Sequence, residues 1–271
     1  MANKKYEKTI KKILQSNPSW LYHDIIIYDE IDSTNKKAKE HAKRGAESGT
    51  IILAFKQSQG RGRYDRVWES PPGGLYLTII LRPDIPLDRV HLLSITTSLA
   101  LADTIKDYKI LPSIIWPNDL YINDKKIAGI LSELETIDKR IEYVIIGIGL
   151  NVNTRLSDYS QVLQPYVTSM LNEIKKEVDL AGLLEKLLHY FGYYYKLLIK
   201  NEVNYILERW RGYATMLGRV ITVKTPKEVI TGRAVDIDQQ GFLHVVTEEG
   251  EEKIINSGDC VRVEGLRGSP T

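Results

Sequence analysis

The sequence predicts an α+β protein: a mixed β-sheet domain with helices on one face, followed by a small β-barrel. Three observations carry this. Strand-like apolar runs alternate with helical stretches from residue 24 to about 214. From 218 onward five short β-like runs appear, separated by turn residues. The length, 271 residues, suits roughly two domains, at about 150 residues each.

The elements follow in order. Residues 1–23 are polar and Lys-rich, and 7–15 fit one amphipathic helix with Ile10, Ile13 and Leu14 on a single face. That segment is too short for an independent helix-turn-helix domain. Asp24 to Tyr28 reads as a buried strand, and 33–45 as a helix opening at Ser33/Thr34 and closing at Gly45. A second strand spans 50–56, and Leu75 to Leu81 is a third. Residues 88–107 read as helix. Strands are expected at 114–116, 119–122, 127–135 and 141–148, with Asn123-Asp124 supplying a hairpin turn. The stretch 169–214 predicts two helices broken near Asn201. The five terminal β runs are 219–224, 228–236, 242–247, 251–255 and 260–264. The resulting division is a short N-terminal segment 1–23, a sheet domain 24–216, a barrel 217–265 and a disordered tail 266–271.

Charge and composition exclude several functions. Thirty-seven Lys+Arg against 35 Asp+Glu leave a net charge of +2, without the excess expected of a nucleic-acid-coating or membrane-surface protein. The lone Cys260 forms no intramolecular disulfide, and the five histidines show no ligand spacing. No apolar run reaches the ~18 residues of a membrane span, and Met1 to Glu7 lacks a signal-peptide core. A cytoplasmic location is expected.

Four segments could carry chemistry. The first is Gln57-Ser58-Gln59-Gly60-Arg61-Gly62-Arg63-Tyr64-Asp65-Arg66-Val67-Trp68, where Lys56, Arg61, Arg63 and Arg66 face only Asp65 in opposite charge. Glycines let a backbone approach a ligand, and arginines offer planar forks to carboxylate and phosphate oxygens. It is neither a Walker A loop nor a dinucleotide fingerprint; a solvated surface loop is the plain alternative. The second is Trp116-Pro117-Asn118-Asp119, followed by Lys126-Ile127-Ala128-Gly129-Ile130. Read as a hairpin, it brings Asn118, Asp119 and Lys126 to one end of the sheet, where an Asn–Asp pair can hold Mg²⁺. The alternative is a Pro-turn hairpin with an exposed lysine. The third, Ser33-Thr34-Asn35, is what a helix N-cap looks like, and a helix N-terminus also aims N–H donors at whatever lies before it. The fourth is Gly147-Ile148-Gly149-Leu150-Asn151-Val152-Asn153, whose glycines permit either a flat ligand or a strand bend.

In order, spacing and context these four segments resemble the biotin protein ligases, and the likeness covers about residues 24–265. The resemblance implies an α+β catalytic domain followed by a small SH3-like β-barrel. It implies a two-step reaction: biotin and ATP give biotinyl-5′-AMP and pyrophosphate, then a lysine of a biotin carboxyl carrier protein or domain takes the biotin and AMP leaves. Catalytic roles fall to Lys126, Arg61 and Asp119. Biotin is expected on Ser33, Thr34, Asn35, Gln57, Gly60, Arg61, Gly62, Arg63, Lys126 and Gly129. ATP and the adenylate are expected on Arg61, Arg63, Trp68, Asn118, Lys126 and Asn151, and Mg²⁺ at Asn118 and Asp119. Trp68 is expected to anchor the far end of a mobile loop.

Two departures stand out. Tyr64-Asp65-Arg66-Val67-Trp68 brings an extra acid and one glycine fewer than many members have, which puts phosphate affinity in doubt. The short N-terminal segment argues against a DNA-binding repressor role. Members of the family often pair their sheets, which makes a homodimer the assembly to test. A lipoate–protein ligase would share the lysine and the adenylation, but QSQGRGR and the WPND–KIAGI pairing favour biotin. A nucleic-acid-binding module would need bases spread along one face, and the barrel stretch 219–264 has no excess of them.

Overall fold

The computed structural model describes residues 24–265 together with Thr9, Ile10 and Tyr22. The 266–271 tail lies outside these residues, as does most of the helix expected over 7–15, of which Thr9 and Ile10 are helical. Seven strands form the large sheet: β1 (Ile25–Tyr28), β2 (Ile51–Ala54), β3 (Leu75–Leu81), β4 (Ser113–Ile115), β5 (Asp119–Ile122), β6 (Lys125–Ile137) and β7 (Arg140–Leu150). Their order is β1-β2-β3-β7-β6-β5-β4. The β1–β2 pair is parallel, and a parallel pair needs a crossover; α1 (Thr34–Lys43) provides it. The remaining pairs are antiparallel.

Capping chemistry sets α1. Ser33 is extended (φ −154°), and its hydroxyl accepts from Lys36 N; Gly45 beyond the C-terminus takes φ 87°. Ala38 and Ala42, four apart on one face, let the helix lie close to the sheet against Ile52, Ile80, Tyr143 and Ile145. The opposite face of the same strands, including Ile51, Leu53, Leu77 and Ile79, packs in the main core with α2 (Leu92–Lys106) and α4 (Leu180–Ile199). The expectation of helices on one face is therefore corrected: α1 covers the second face. The reason is visible in β2 and β3, where Ile51, Ile52, Leu53, Ile79, Ile80 and Leu81 are each 1% exposed or less. A strand apolar at every position has both faces to bury.

The 169–214 region contains three helices rather than two: α3 (Met170–Ile174), α4 and α5 (Val203–Arg211). The break near Asn201 is present, with that residue in the left-handed region at φ 63°. The additional break precedes α4, where Asp179 accepts from Ala181 N and Gly182 N at 3.3 and 3.1 Å and starts a new helix. Buried Asp103 of α2 ties these helices together. Arg209 Nη2 donates to both its oxygens at 3.0 and 3.2 Å, and the hydroxyls of Tyr194 and Tyr213 donate to it as well.

Five antiparallel strands make the second unit: β8 (Val220–Lys224), β9 (Val229–Ile237), β10 (Leu243–Val246), β11 (Glu252–Ile255) and β12 (Asp259–Val263), in the order β11-β10-β9-β8-β12. β11 and β12 stand at opposite edges, yet residues 256–258 alone join them. Four chain steps reach about 14 Å, whereas a flat sheet would hold these edges about 19 Å apart. The sheet must therefore curl into a barrel, and the register shifts at His244/Val245 and Cys260/Arg262 help bend it. The barrel docks on the sheet domain through Trp116, whose Nε1 donates to Gly241 O at 3.0 Å, and through His91, edge-on to Phe242. No helix among the described residues is long and apolar enough to cross a membrane.

Replacing Asp103 with Ala strands two tyrosyl hydroxyls and an arginine. Urea denaturation should show a loss of about 2–3 kcal/mol, the scale of charge-assisted hydrogen bonds; a loss below about 0.5 kcal/mol would show that the network carries little stability.

Candidate active site

The site begins with three glycines. In the β6–β7 register Gly129 lies opposite Gly149, and Leu131 opposite Gly147. Each missing side chain is used. A Cβ on Gly147 would sit 1.9 Å from Asn35 Oδ1, so this glycine admits the start of α1. A Cβ on Gly149 would meet Trp68 Nε1 at 2.5 Å, and one on Gly129 would meet Trp68 Cζ3 at 3.0 Å. The flat group lying against the Gly129–Gly149 pair is thus the Trp68 indole, and Lys126 Nζ stands 5.4 Å from its ring centroid.

Above this floor is a cleft open to solvent. Of the expected site residues, Ser33, Thr34, Asn35, Gln57, Arg61, Gly62, Arg63, Trp68, Asn118, Asp119, Lys126, Gly129 and Asn151 all border it. Gly60 does not: a Cβ there would lie 2.3 Å from Trp68 O, so it shapes the neck of the loop instead.

The polar turn before α1 is hydrogen-bonded throughout. Gln57 Oε1 accepts from Thr34 N at 2.8 Å and Thr34 Oγ1 at 3.1 Å, and Gln57 Nε2 donates to Ser70 Oγ at 2.9 Å. Asn35 Oδ1 accepts from Thr78 Oγ1 at 2.7 Å, while its Nδ2 donates to Leu131 O at 3.3 Å and Glu133 Oε2 at 3.0 Å. Both amide hydrogens and one lone pair of Asn35 are thereby held by the scaffold, which leaves one lone pair for a ligand.

The arginine segment is a hairpin-like excursion. Trp68 N donates to Gly60 O at 2.9 Å and Gly62 N to Arg66 O at 2.7 Å, with a short 3-10 turn at Arg63–Asp65 as the tip. Tyr64 and Asp65 both take left-handed backbone, φ 51° and 58°. Glycine adopts that conformation without strain; aspartate is among the residues that tolerate it. The extra acid points into solvent, its side chain 97% exposed.

Every cation of the cleft has a carboxylate partner. Lys126 Nζ is 2.6 Å from Asp119 Oδ2. Arg63 Nη1 donates to Gly258 O at 2.7 Å and Asp259 Oδ1 at 2.9 Å, and Arg66 pairs with the other oxygen of Asp259. Arg61 is held more loosely, 3.7 Å from Glu133 Oε1 and 3.9 Å from Asp65 Oδ1. Burial pushes the Arg63 guanidinium below its usual range, against the pull of Tyr64 and Asp119, yet an arginine stays charged. Burial, with the Asp119 charge adding to it, pushes the Cys260 thiol up to about 12. β12 itself reaches the cleft, where its first residue, Asp259, forms part of the wall.

Two buried polar atoms of the cleft have no hydrogen-bond partner among the described residues: Asn151 Oδ1, an acceptor, and Trp68 Nε1, a donor. Asn151 Nδ2 is anchored on Thr168 O at 3.0 Å, which fixes the direction of its free oxygen. Asn118 Nδ2 donates to Ile130 O. No cluster of three or more His, Cys, Asp or Glu able to hold a metal occurs among the described residues. Asp119 borders the cleft with one oxygen on Lys126, so a single carboxylate faces it there, within the one or two that Mg²⁺ takes before it fills its shell with phosphate oxygens and water.

Sequence reasoning missed Glu133 and Asp259, and the wall formed by Tyr159, Leu163, Tyr166 and Val167. Asp259 had no local signal, being almost 200 residues from its partners. Glu133 had one, since it falls two and four residues after Leu131 and Gly129 on the same strand face.

A helix N-terminus, an arginine hairpin and a lysine strand meet around one cleft beside a flat apolar floor, the arrangement of a small-molecule site rich in cations. Comparison with known proteins makes the class specific. The profile described as the biotin/lipoate A/B protein ligase family matches residues 28–151, and that of the biotin protein ligase C-terminal domain matches 216–263. The bifunctional ligase/repressor BirA of Bacillus subtilis is 37% identical over 235 residues, 86% of this chain and 72% of that one. A biotin–[acetyl-CoA-carboxylase] ligase of Mycobacterium tuberculosis is 26% identical over 93% of each chain. Among solved structures, a biotin protein ligase from Aquifex aeolicus in complex with biotin and ATP superposes with a TM-score of 0.77 at 28% identity, covering 88% of this chain and 97% of that one. The chain belongs to the biotin protein ligases.

Two outcomes test the geometry. Gly149→Ala should drive the Trp68 indole off the floor and shift tryptophan emission to the red; unchanged emission would contradict the packing. Asp259→Ala should release Arg63 and Arg66 and speed tryptic cleavage within 60–68, whereas cleavage at the parental rate would show that the loop does not depend on the barrel.

Proposed function

We infer that the protein is an ATP-dependent biotin–protein ligase. The observation that carries this reading is convergence: segments 33–35, 57–68, 118–129 and 147–151 come together around one cleft. In the first step the carboxylate oxygen of biotin attacks the α-phosphorus of ATP, the bond to the β-phosphate bridge breaks, and pyrophosphate leaves. In the second, the ε-amine of an acceptor lysine attacks the acyl carbon of biotinyl-5′-AMP, AMP leaves, and the amine gives up a proton.

The residues divide the work by chemistry. Ser33, Thr34 and Gln57 offer donors and acceptors to the ureido head, and Gly129 gives the flat ligand room. Arg61, Arg63 and the Gly62 backbone screen the repulsion between carboxylate and triphosphate. Lys126 stabilises the charge that builds on the α-phosphate in the transition state. Asn151 Oδ1 and Trp68 serve the adenylate, the first as a directed acceptor and the second as an aromatic face. Asp119 holds Lys126 in place and attracts the incoming ammonium of the acceptor. Mg²⁺, arriving on the triphosphate, would be held at Asp119 and Asn118 and would supply charge neutralisation of the phosphates.

The acceptor is proposed to be a biotin carboxyl carrier protein or domain. Residues 24–216 are proposed as the catalytic unit and 217–265 as the barrel. A cytoplasmic location and a homodimer formed through the sheets complete the reading.

Mixing the protein with biotin, ATP, Mg²⁺ and a carrier domain should give a streptavidin-reactive product; no product, or one formed from lipoate instead, would overturn the assignment. Lys126→Ala should cut pyrophosphate release by about 100-fold or more, the scale of a lost charge-stabilising donor, with the melting temperature preserved. Undiminished release would remove Lys126 from the mechanism. Biotin with ATP should also protect 60–68 from protease, as a lid that orders over its ligands.

A further inference from the structure

Glu133 contributes no surface to the cleft, yet it touches two of the groups that do. It follows Gly129 and Leu131 at two-residue intervals along β6, so the three share one face of the sheet, and it lies opposite Ile145 in the register. One oxygen, Oε2, accepts from Asn35 Nδ2 at 3.0 Å; the other, Oε1, stands 3.7 Å from Arg61 Nη1. Asn35 is fixed on its other side by Thr78, and Gly147 makes the room it needs. A single carboxylate thus joins the start of α1 to the arginine loop.

The two contacts differ in kind. The Asn35 bond has ordinary hydrogen-bond length and is partly buried. The Arg61 contact is longer than a hydrogen bond, and Arg61 is the most loosely held cation of the cleft. A carboxylate at that distance attracts the guanidinium without fixing its fork, so an anion offering two oxygens can displace it.

We propose that Glu133 is a positioning residue that acts through Arg61, serving as the internal counter-ion that the substrate anion must displace while its Asn35 bond holds the α1 turn in shape. This rests on the ligase reading, in which Arg61 meets the carboxylate of biotin or a phosphate of ATP. Glu133 remains with Asn35 while Arg61 changes partner, which couples the filling of the ureido end of the cleft to the state of the loop.

The two contacts can be separated by substitution. Glu133→Gln keeps an oxygen for Asn35 and removes the charge that holds Arg61; Glu133→Ala removes both. Pyrophosphate release from biotin and ATP is measured for the parent and both variants, with tryptic cleavage at 60–68 read without ligand. Glu133→Gln is expected to lower KM for biotin about 2- to 5-fold, the scale of an exposed ion pair, and to speed cleavage of the resting loop. Glu133→Ala is expected to raise KM for biotin. A merely structural glutamate would move both variants in the same direction, and that result, or an unchanged KM in Glu133→Gln, would overturn the proposal. If Glu133→Ala fails to fold, the near-isosteric Glu133→Gln decides alone. A parent enzyme that releases no pyrophosphate sinks the ligase reading and this inference together; an active parent with parallel variants sinks the inference alone.

Discussion

Charge in the absence of substrate is the constraint on which this structure depends. The cleft gathers several cations, and cations held close together repel one another. The fold meets this by giving each cation a carboxylate from another element. Asp119 sits on Lys126 from the neighbouring strand, Asp259 reaches Arg63 and Arg66 from the barrel, and Glu133 faces Arg61 from β6. Each of these partners is half-buried, so its hold is stronger than that of a solvated surface pair and weaker than that of a core pair. Such pairs offset the repulsion among the cations without the full desolvation cost of core pairs.

Close approach is the second constraint, and the sheet supplies it. Gly129, Gly147 and Gly149 remove three side chains from adjacent positions of β6 and β7, and the resulting depression is filled by Asn35 at one end and the Trp68 indole at the other. A Cβ on Gly149 would force the indole of the arginine hairpin aside, and one on Gly129 would crowd its edge. The same glycines therefore set the resting position of the loop, and Lys126 lies over the indole as well as against Asp119. Loop position, floor and Lys126 are thus set by one packing arrangement.

Much of the fold was legible in the chain. Strands β2, β3 and β7 are apolar runs, the Asn123 turn is a local signal, and Ser33 and Gly45 cap α1 as their chemistry dictates. The second-face position of α1 was not read, although β2 and β3, apolar on both faces, carried the signal for it. Of the site, the segments with their own composition were readable: Ser33-Thr34-Asn35, the arginine hairpin, Lys126 and the paired glycines. What could not be read was the partner of each. The alternation of β6 puts Glu133 on the face of Gly129 and Leu131 but does not name Asn35 or Arg61 as its partners, and Asp259 looks like any turn aspartate. Their roles exist only after residues far apart in sequence have been folded together. Asn35 shows the converse. Its type suggested ligand binding, but Thr78, Leu131 and Glu133 hold most of its capacity, and only the fold reveals them.

The barrel gains its meaning from the same accounting. By itself it is a small curled sheet with no excess of basic residues. Yet Gly258 O and Asp259 take hold of the tip of the arginine hairpin, and Cys260 lies within the electrostatic reach of Asp119. Trp116, the residue that opens the WPND segment, donates in turn to Gly241 O across the seam. The sheet domain supplies the cations and the floor; the barrel supplies one of the counter-ions. A loop anchored only at its own neck would sample many positions, because Arg61 is loosely held and Tyr64 and Asp65 stand in solvent-exposed left-handed backbone. Fastening its tip to a second rigid body reduces those positions before any ligand arrives. The second unit is therefore part of the site, and displacing the barrel would disturb the loop even if every residue of the sheet domain stayed in place.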